Sequence, residues 1–403
     1  MVLVGCSGAG KSTFAARHFL PTQIVSSDTC RALVGDDPND QTVTPQAFAL
    51  VDFLIHQRLS LKRLTVVDAT SVKPEDRKRL RLLAKEHDLP AVAIVLDVDR
   101  ETLRRRRLER SDRSVPEEVL QTQFQTLRDS LSGLARERFK YTHHLRHGFD
   151  QVEIQRVPLR CDRRYDPGPF DIIGDLHGCY PELLELLGKL GYQGTTPPPG
   201  RRALFLGDLT DRGPDSPACL RLVMDMVGRG QALCVPGNHD DKLVRWLKGA
   251  QLKVGRGLET TVAQLEGLED DFRQQLLSFY EDLPTHYVLD GGNLVVAHGG
   301  MPEHLQGRSS GRVRSFALYG DTTGKTDAQG FPIRRDWARD YRGQALVVYG
   351  HTPIEEAQFI NNTINIDTGA VFGGRLTCLR YPERELVSVP AQQTYYEHPL
   401  AER

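Results

Sequence analysis

Six short stretches of the chain carry residues whose types and spacing could do chemistry. Near the amino terminus, GCSGAGKSTF sets Gly5, Gly8 and Gly10 ahead of Lys11 and Ser12. This is the G-x-x-x-x-G-K-[ST] spacing, in which backbone N–H groups turn inward around nucleotide phosphates at the positive end of a helix. On this reading Gly5, Ser7, Gly8, Ala9, Gly10, Lys11, Ser12 and Thr13 form the nucleotide loop. Lys11 reaches the β and γ oxygens and Ser12 holds Mg²⁺. The bland alternative is a Gly-rich turn with no nucleotide. Against it, MVLVG before the loop and TFAARHFL after it read as the strand and helix the motif requires.

The other five stretches are GDLHG, GDLTDRG, GNHDD, AHGG and GHTP, each following an apolar run such as RALFLGD or LVVAHGG. Ligands at successive strand ends define a metal site. Asp175 and His177 would bind a first ion, Asp208 would bridge, and Asn238, His298 and His351 would bind a second. Oxygen and imidazole ligands without thiolate suit Mn²⁺, Fe or Zn. Two such ions about 3.5 to 4 Å apart can generate hydroxide near neutral pH and clamp phosphoryl oxygens. Arg212 and His239 are left for phosphate binding and for protonating a leaving alkoxide, with Asp211 or Asp240 orienting the imidazole. A single Asp-x-His means little, whereas five motifs in this order are specific.

A phosphate-donor loop leaves its acceptor unnamed. QIVSSDTCR reads as a second strand ending in Asp28, a carboxylate placed to accept the acceptor's proton, with Arg31 one helical turn on and suited to an anionic acceptor. The alternatives are a helix cap for Asp28 and a surface ion pair for Arg31. Asp68, ending LTVVDAT, is either a Walker-B-type carboxylate or a cap for the helix near Pro74. Arg106, Arg110 and Arg113 lie in an arginine-rich stretch that either closes over the donor or forms a solvated basic face.

These residues need elements to hold them. The first part of the chain alternates strand-like and helix-like segments: PQAFALVDFLIHQRL is helical, LTVVDAT extended, PEDRKRLRLLAKEHD helical and AVAIVLDV extended. This is the pattern of an α/β domain with a parallel sheet flanked by helices. A length of 403 residues favours two domains. RCDRRYDPGP separates the two motif sets, giving expected domains at 1–160 and 161–385 and a tail at 386–403. The 39% hydrophobic and 26% charged content is ordinary globular usage. Seven scattered cysteines without a C-x-x-C pair argue against a secreted disulfide framework. No apolar run reaches membrane length, so a soluble cytoplasmic protein is expected. The formal net charge of -1 gives no global pull toward nucleic acid, although RETLRRRRLERSDR concentrates arginine locally.

The five later motifs resemble the calcineurin-like metallophosphoesterase superfamily over roughly residues 170 to 380, which implies an α+β fold with a β-sandwich flanked by helices. The first domain resembles the P-loop polynucleotide 5′-kinases, whose Asp-x-x-Arg supplies general base and phosphate clamp, here Asp28 and Arg31. Joined in this order, with phrases such as DDPNDQTVT, EDRK and NIDTGAVFGG, the chain resembles the bacterial polynucleotide kinase-phosphatases of RNA repair. The resemblance implies phosphorylation of 5′-hydroxyl ends with ATP or another NTP and Mg²⁺. It also implies removal of 2′,3′-cyclic, 2′- and 3′-phosphates with two Mn²⁺ or similar ions. Arg106 and Arg110 would join the kinase site, Arg113 would contact the nucleotide, and Asp367 would support the metals. RNA ends are the implied substrates, with an RNA ligase and an RNA 2′-O-methyltransferase as partners and a homodimer left open. The ligase domain common in such proteins is absent from this sequence. Two competing readings are a small-molecule P-loop kinase fused to a protein serine/threonine phosphatase or dinucleoside polyphosphate hydrolase, and a nucleotide-dependent RNA-binding scaffold. The second predicts broken motifs, and Lys11, Asp28, Asp208 and His239 are all present.

Overall fold

The computed structural model describes residues 1–109, 115–149, 151–252, 255, 257–268, 270–327 and 332–397. It divides into two compact units, Met1–Val157 and Pro158–Arg403.

In the first unit, strands β1 (Val2–Val4), β2 (Ile24–Ser26), β3 (Val66–Asp68), β4 (Val92–Leu96) and β5 (Tyr141–Leu145) form an all-parallel sheet in the order β2-β3-β1-β4-β5. Val2 sits opposite both Val67 and Ala93, so β1 is central. Every residue of β1 and β3 is buried, as expected of parallel strands covered on both faces. The covering helices are α1 (Lys11–His18), α2 (Ser27–Gly35), α3 (Thr44–Ser60), α4 (Pro74–Glu86), α5 (Arg100–Glu109) and α6 (Glu117–Leu131). In α3, Ala47, Val51, Ile55 and Leu59 recur every four residues and make the single buried stripe. The loops at the carboxyl ends of these strands carry the expected chemistry.

The second unit is built on strands β6 (Asp162–Arg163), β7 (Phe170–Ile173), β8 (Arg202–Phe205), β9 (Ala232–Cys234), β10 (Tyr287–Leu289) and β11 (Leu294–Val296). They are followed by the hairpin β12 (Thr322–Thr326) and β13 (Pro332–Arg334), then β14 (Leu346–Tyr349), β15 (Phe359–Ile360), β16 (Thr363–Asn365), β17 (Arg375–Tyr381) and β18 (Glu385–Pro390). One sheet runs β18-β17-β7-β8-β9 and the other β15-β16-β14-β11-β10-β6. Alternation along the strands explains the sandwich. Phe170, Ile172, Leu204 and Leu206 face the core shared with Leu294, Val296, Leu346 and Val348 of the other sheet. Their neighbours Ile173, Ala203 and Phe205 point the opposite way, into the helices.

Helices α7 (Tyr180–Lys189), α8 (Ser216–Gly228) and α9 (Asn238–Leu247) follow β7, β8 and β9. The motifs GDLHG, GDLTDRG and GNHDD therefore fall at three neighbouring strand-to-helix junctions. Residues 386–390, expected to begin a tail, lie in β18, which pairs antiparallel with β17 from Arg375–Pro390 to Arg380–Glu385. Leu376 and Val389, directly opposite each other, bury one face of that pair, which holds the strand in place. All seven cysteines are buried with no disulfide among the described residues, where no helix is long and apolar enough to cross a membrane.

Candidate active sites

The loop between β1 and α1 has Gly8 at φ 83° and Gly10 at φ 91°, left-handed conformations that glycine adopts without penalty. A side chain at Gly5 would come within 2.9 Å of the Leu96 carbonyl, so the loop can be closely wound only with glycine there. Ser7 and Ala9 complete the loop, and Ser12 and Thr13 are exposed in the first turn of α1. Lys11 is buried and its Nζ donates to the Gly5 and Cys6 carbonyls, both at 2.9 Å. These residues fit a nucleotide's phosphates and a Mg²⁺ on Ser12. Arg106 Nη1 donates to the Gly8 carbonyl at 3.3 Å, bringing an arginine from α5 to the loop. Arg110 and Arg113 lie outside the described residues. Gln123, which nothing in the sequence singled out, accepts from the Ser7 N–H at 2.8 Å.

Asp28 does not end the second strand as expected. The Ser26 hydroxyl accepts from the Thr29 N–H, helix α2 starts at Ser27, and Asp28 falls in its first turn. Ser26, not Asp28, is therefore the cap. Arg31 is not a surface ion-pair residue: it is only 4% exposed, and its Nη1 donates to Asp28 Oδ1 at 2.7 Å and to the Pro38 carbonyl at 3.1 Å. Asp68 is buried at the end of β3 beside β1. Lys73 takes the cap position of α4, which removes the capping alternative for Asp68.

The second unit gathers all six expected metal ligands. Asp208 Oδ2 stands 3.6 Å from His177 Nε2 and 3.4 Å from His298 Nε2, between the two groups. His298 Nε2 is 3.0 Å from both Asn238 Oδ1 and His351 Nδ1. Asp175 Oδ2 accepts from the His351 N–H at 3.0 Å, while its buried Oδ1 has no hydrogen-bond partner among the described residues. An orphaned carboxylate oxygen in a ring of imidazoles is what a divalent cation would satisfy. His177 Nδ1 faces the Thr210 carbonyl at 2.8 Å and His298 Nδ1 the Leu206 carbonyl at 3.0 Å, the outer contacts that leave each Nε2 for a metal. The donor set fits two divalent ions. Ligand atoms of His177, Asp208 and His239, and of Asp208, His298 and His351, lie close enough to share a cation within each group.

The electrostatics point the same way. Burial would raise Asp208, but His298, His239 and His177 together hold it well below the usual carboxylate range. Burial, reinforced by Asp367, pushes Asp175 well up. Burial also lifts Asp367 to about 6. Burial and the Arg212 guanidinium hold His177 well below an ordinary histidine. Burial thus disfavours the ionised carboxylates of Asp175 and Asp367, a cost that divalent cations would offset.

Arg212 Nη1 lies 2.8 Å from His177 Nε2 and its Nη2 2.9 Å from His239 Nε2. What separates the two histidines is the partner at Nδ1. His177 has a neutral carbonyl, whereas His239 has Asp211 Oδ2 at 2.6 Å. A carboxylate at Nδ1 fixes the orientation of the His239 ring and leaves Nε2 facing the site, which suits it to proton transfer. Asp211 is the orienting residue. Asp240 instead accepts from the Leu209 and Gly237 N–H groups and from Tyr280.

Five site residues adopt positive φ: His177 (44°), Asp208 (46°), Asp211 (77°), Arg212 (72°) and His351 (75°). Such backbone is strained for side-chain-bearing residues and persists only where the surroundings enforce it. Glycine makes the close approach possible at Gly237, where a Cβ would collide with Asp208 Oδ1 and its backbone N. Gly237→Ala is therefore expected to displace the bridging carboxylate and lower phosphoester hydrolysis about 10²-fold, since a misplacement of an ångström costs that much. Steady-state kinetics beside a circular-dichroism melt would check it.

Three site neighbours were not visible in the sequence. Arg334, on β13, brings Nη2 to 2.7 Å from His351 Nε2. Phe372 and Tyr396 place their rings 5.2 and 5.8 Å from the Arg212 guanidinium. No spacing links these positions to the motifs.

Both halves of the chain match known families. Residues 1–134 match the AAA domain family and residues 168–377 the calcineurin-like phosphoesterase family. A bis(5′-nucleosyl)-tetraphosphatase PrpE (asymmetrical) from Anoxybacillus flavithermus is 50% identical over 234 residues, covering 56% of this chain and 96% of that protein. The like-named protein of Halalkalibacterium halodurans is 49% identical over 232 residues, covering 56% and 94%. A crystal structure assigned as a diadenosine tetraphosphatase is 27% identical with a TM-score of 0.42, covering 57% of this chain and 96% of that one. The chain belongs to the calcineurin-like phosphoesterase family, and it carries a kinase-like P-loop domain ahead of the phosphoesterase.

Proposed function

We propose that the chain heals RNA ends, with its P-loop unit phosphorylating 5′-hydroxyls and its phosphoesterase unit removing 2′,3′-cyclic, 2′- and 3′-phosphates. The observation that carries the acceptor assignment is the pair formed by Asp28 and Arg31, 2.7 Å apart in the first turns of α2. Asp28 accepts the proton of the attacking hydroxyl as the new P–O bond forms. Arg31 neutralises the acceptor's flanking phosphate, and Lys11 and Arg106 hold the transferred group. In the second site, two divalent ions, Mn²⁺ or similar, would supply an activated water and clamp phosphoryl oxygens when bound. Arg212 binds the phosphoryl oxygens, and His239, with Asp211 at Nδ1, delivers a proton from Nε2 to the leaving alkoxide. The two activities are compatible because they act on opposite ends of a break. A separate RNA ligase would then join the product ends.

The curated relatives favour a second reading for the phosphoesterase half. Their names assign asymmetrical cleavage of bis(5′-nucleosyl) tetraphosphates, chemistry the same cluster of metal ligands could perform. One preparation decides between the readings. A short RNA with a 5′-hydroxyl and a 2′,3′-cyclic phosphate is incubated with ATP and Mg²⁺ or Mn²⁺, alongside diadenosine tetraphosphate, and product masses are read. Gain of phosphate at the 5′ end and its loss at the other are the expected results. Turnover of the dinucleotide with both RNA ends unchanged would move the second reading to the front.

A further inference from the structure

We infer that Tyr396, delivered by the segment from Ala391 to Tyr396, is a positioning residue of the phosphoesterase site that holds Arg212 through a cation–π contact. The inference rests on the reading that Arg212 binds the substrate's phosphoryl group, and applies whichever phosphate ester is the natural substrate.

The segment is built into the second unit. The Ala391 N–H donates to the Gly374 carbonyl at 2.9 Å, and the Tyr395 and Tyr396 N–H groups both donate to the Val371 carbonyl at 3.0 Å. The Gln392 N–H and the Tyr395 hydroxyl donate to Glu182 Oε1, each at 2.9 Å. Glu182 is fully buried on α7, so these contacts tie the segment to the helix layer that covers the sheet containing β7. Tyr395, Tyr396 and Phe372 then pack against the apolar core between that sheet and its helices.

The consequence falls on Arg212. The rings of Tyr396 and Phe372 stand 6.4 Å apart at 65°, and the guanidinium carbon lies 5.8 and 5.2 Å from their centroids. Its Nε is buried with no hydrogen-bond partner among the described residues. The guanidinium is therefore held by two cation–π contacts, with both Nη groups directed at His177 and His239. Holding an arginine by aromatic rings consumes none of its Nη donors, and those donors are what a phosphoryl group needs. A salt bridge would fix the same side chain but compete with substrate. Arg212 also sits at φ 72°, a strained backbone conformation that its surroundings must enforce.

A double-mutant cycle tests this, with hydrolysis of p-nitrophenyl phosphate by the full chain in Mn²⁺ as the readout. Tyr396→Ala is expected to lower kcat/KM about tenfold, within the range of a desolvated cation–π contact. Tyr396→Phe, which keeps the ring, is expected to restore it, and Tyr396→Leu to resemble alanine. In an Arg212→Ala background, Tyr396→Ala is expected to cause no further loss. Multiplicative losses in the double variant would overturn the inference, as would a deficit in Tyr396→Phe equal to that in Tyr396→Ala. An Arg212→Ala enzyme with undiminished kcat/KM would instead remove the phosphate role of Arg212 itself. Melting temperatures and Mn²⁺ stoichiometry of each variant separate misfolding from mispositioning.

Discussion

Asp208→Ala is expected to lower phosphoester hydrolysis by more than about 10²-fold, with Mn²⁺ stoichiometry falling in parallel and NTP-dependent phosphoryl transfer unchanged. The magnitude follows from position. Asp208 Oδ2 is within 3.6 Å of imidazoles from both ligand groups, and Oδ1 accepts the His239 N–H at 2.9 Å. Loss of an outer-shell partner alone typically costs 10- to 100-fold in affinity or activity. A carboxylate shared by both groups should cost more. Its removal also takes away the largest of the carboxylate influences, ahead of those of Asp175 and Asp240, that lift His298 to about 9 against burial. Isothermal titration with Mn²⁺, followed by steady-state hydrolysis, measures both effects. Undiminished hydrolysis would show that the ring of ligands is not the catalytic site.

Asp28→Ala is expected to reduce 5′-phosphorylation about 10²- to 10⁴-fold, the usual contribution of a positioned general base. The apparent KM for ATP and the phosphoesterase rate should stay near wild type. The controls come from Arg31, which is buried and directs Nη1 at Asp28. Asp28→Asn keeps an oxygen for that hydrogen bond but cannot accept the proton. Equal losses in the alanine and asparagine variants would point to proton transfer. A much milder loss in asparagine would mean that Asp28 chiefly orients Arg31. A mass-resolved assay on a 5′-hydroxyl RNA gives the comparison directly.

What could be read from the sequence was whatever is local. A nucleotide loop needs strand, glycine turn and helix in immediate succession, and β1, Gly8, Gly10 and α1 supply them within 18 residues. The phosphoesterase motifs were legible for a related reason: each ends an apolar strand, and the sandwich brings the ends of β7, β8, β9, β11 and β14 together. The position of Asp28 was misjudged because Ser26, Ser27 and Asp28 are all good helix starters, and only the Ser26 hydroxyl's contact with Thr29 shows where the helix begins. Arg334 and Tyr396 could not be found at all, since a hairpin and a chain-terminal segment reach the site through tertiary packing. The left-handed backbone at His177, Asp208, Arg212 and His351 was equally hidden, because no side chain there announces positive φ as glycine does.

The most direct test is a crystal of the full chain grown with Mn²⁺, with anomalous diffraction measured at the manganese edge. The expected result is two peaks about 3.5 to 4 Å apart, one beside Asp175 and His177 and one beside Asn238, His298 and His351. Asp208 should lie between them, with His239 Nε2 outside coordination distance of both. A single peak, or one ligated by His239, would contradict a two-metal site in which His239 is reserved for the proton.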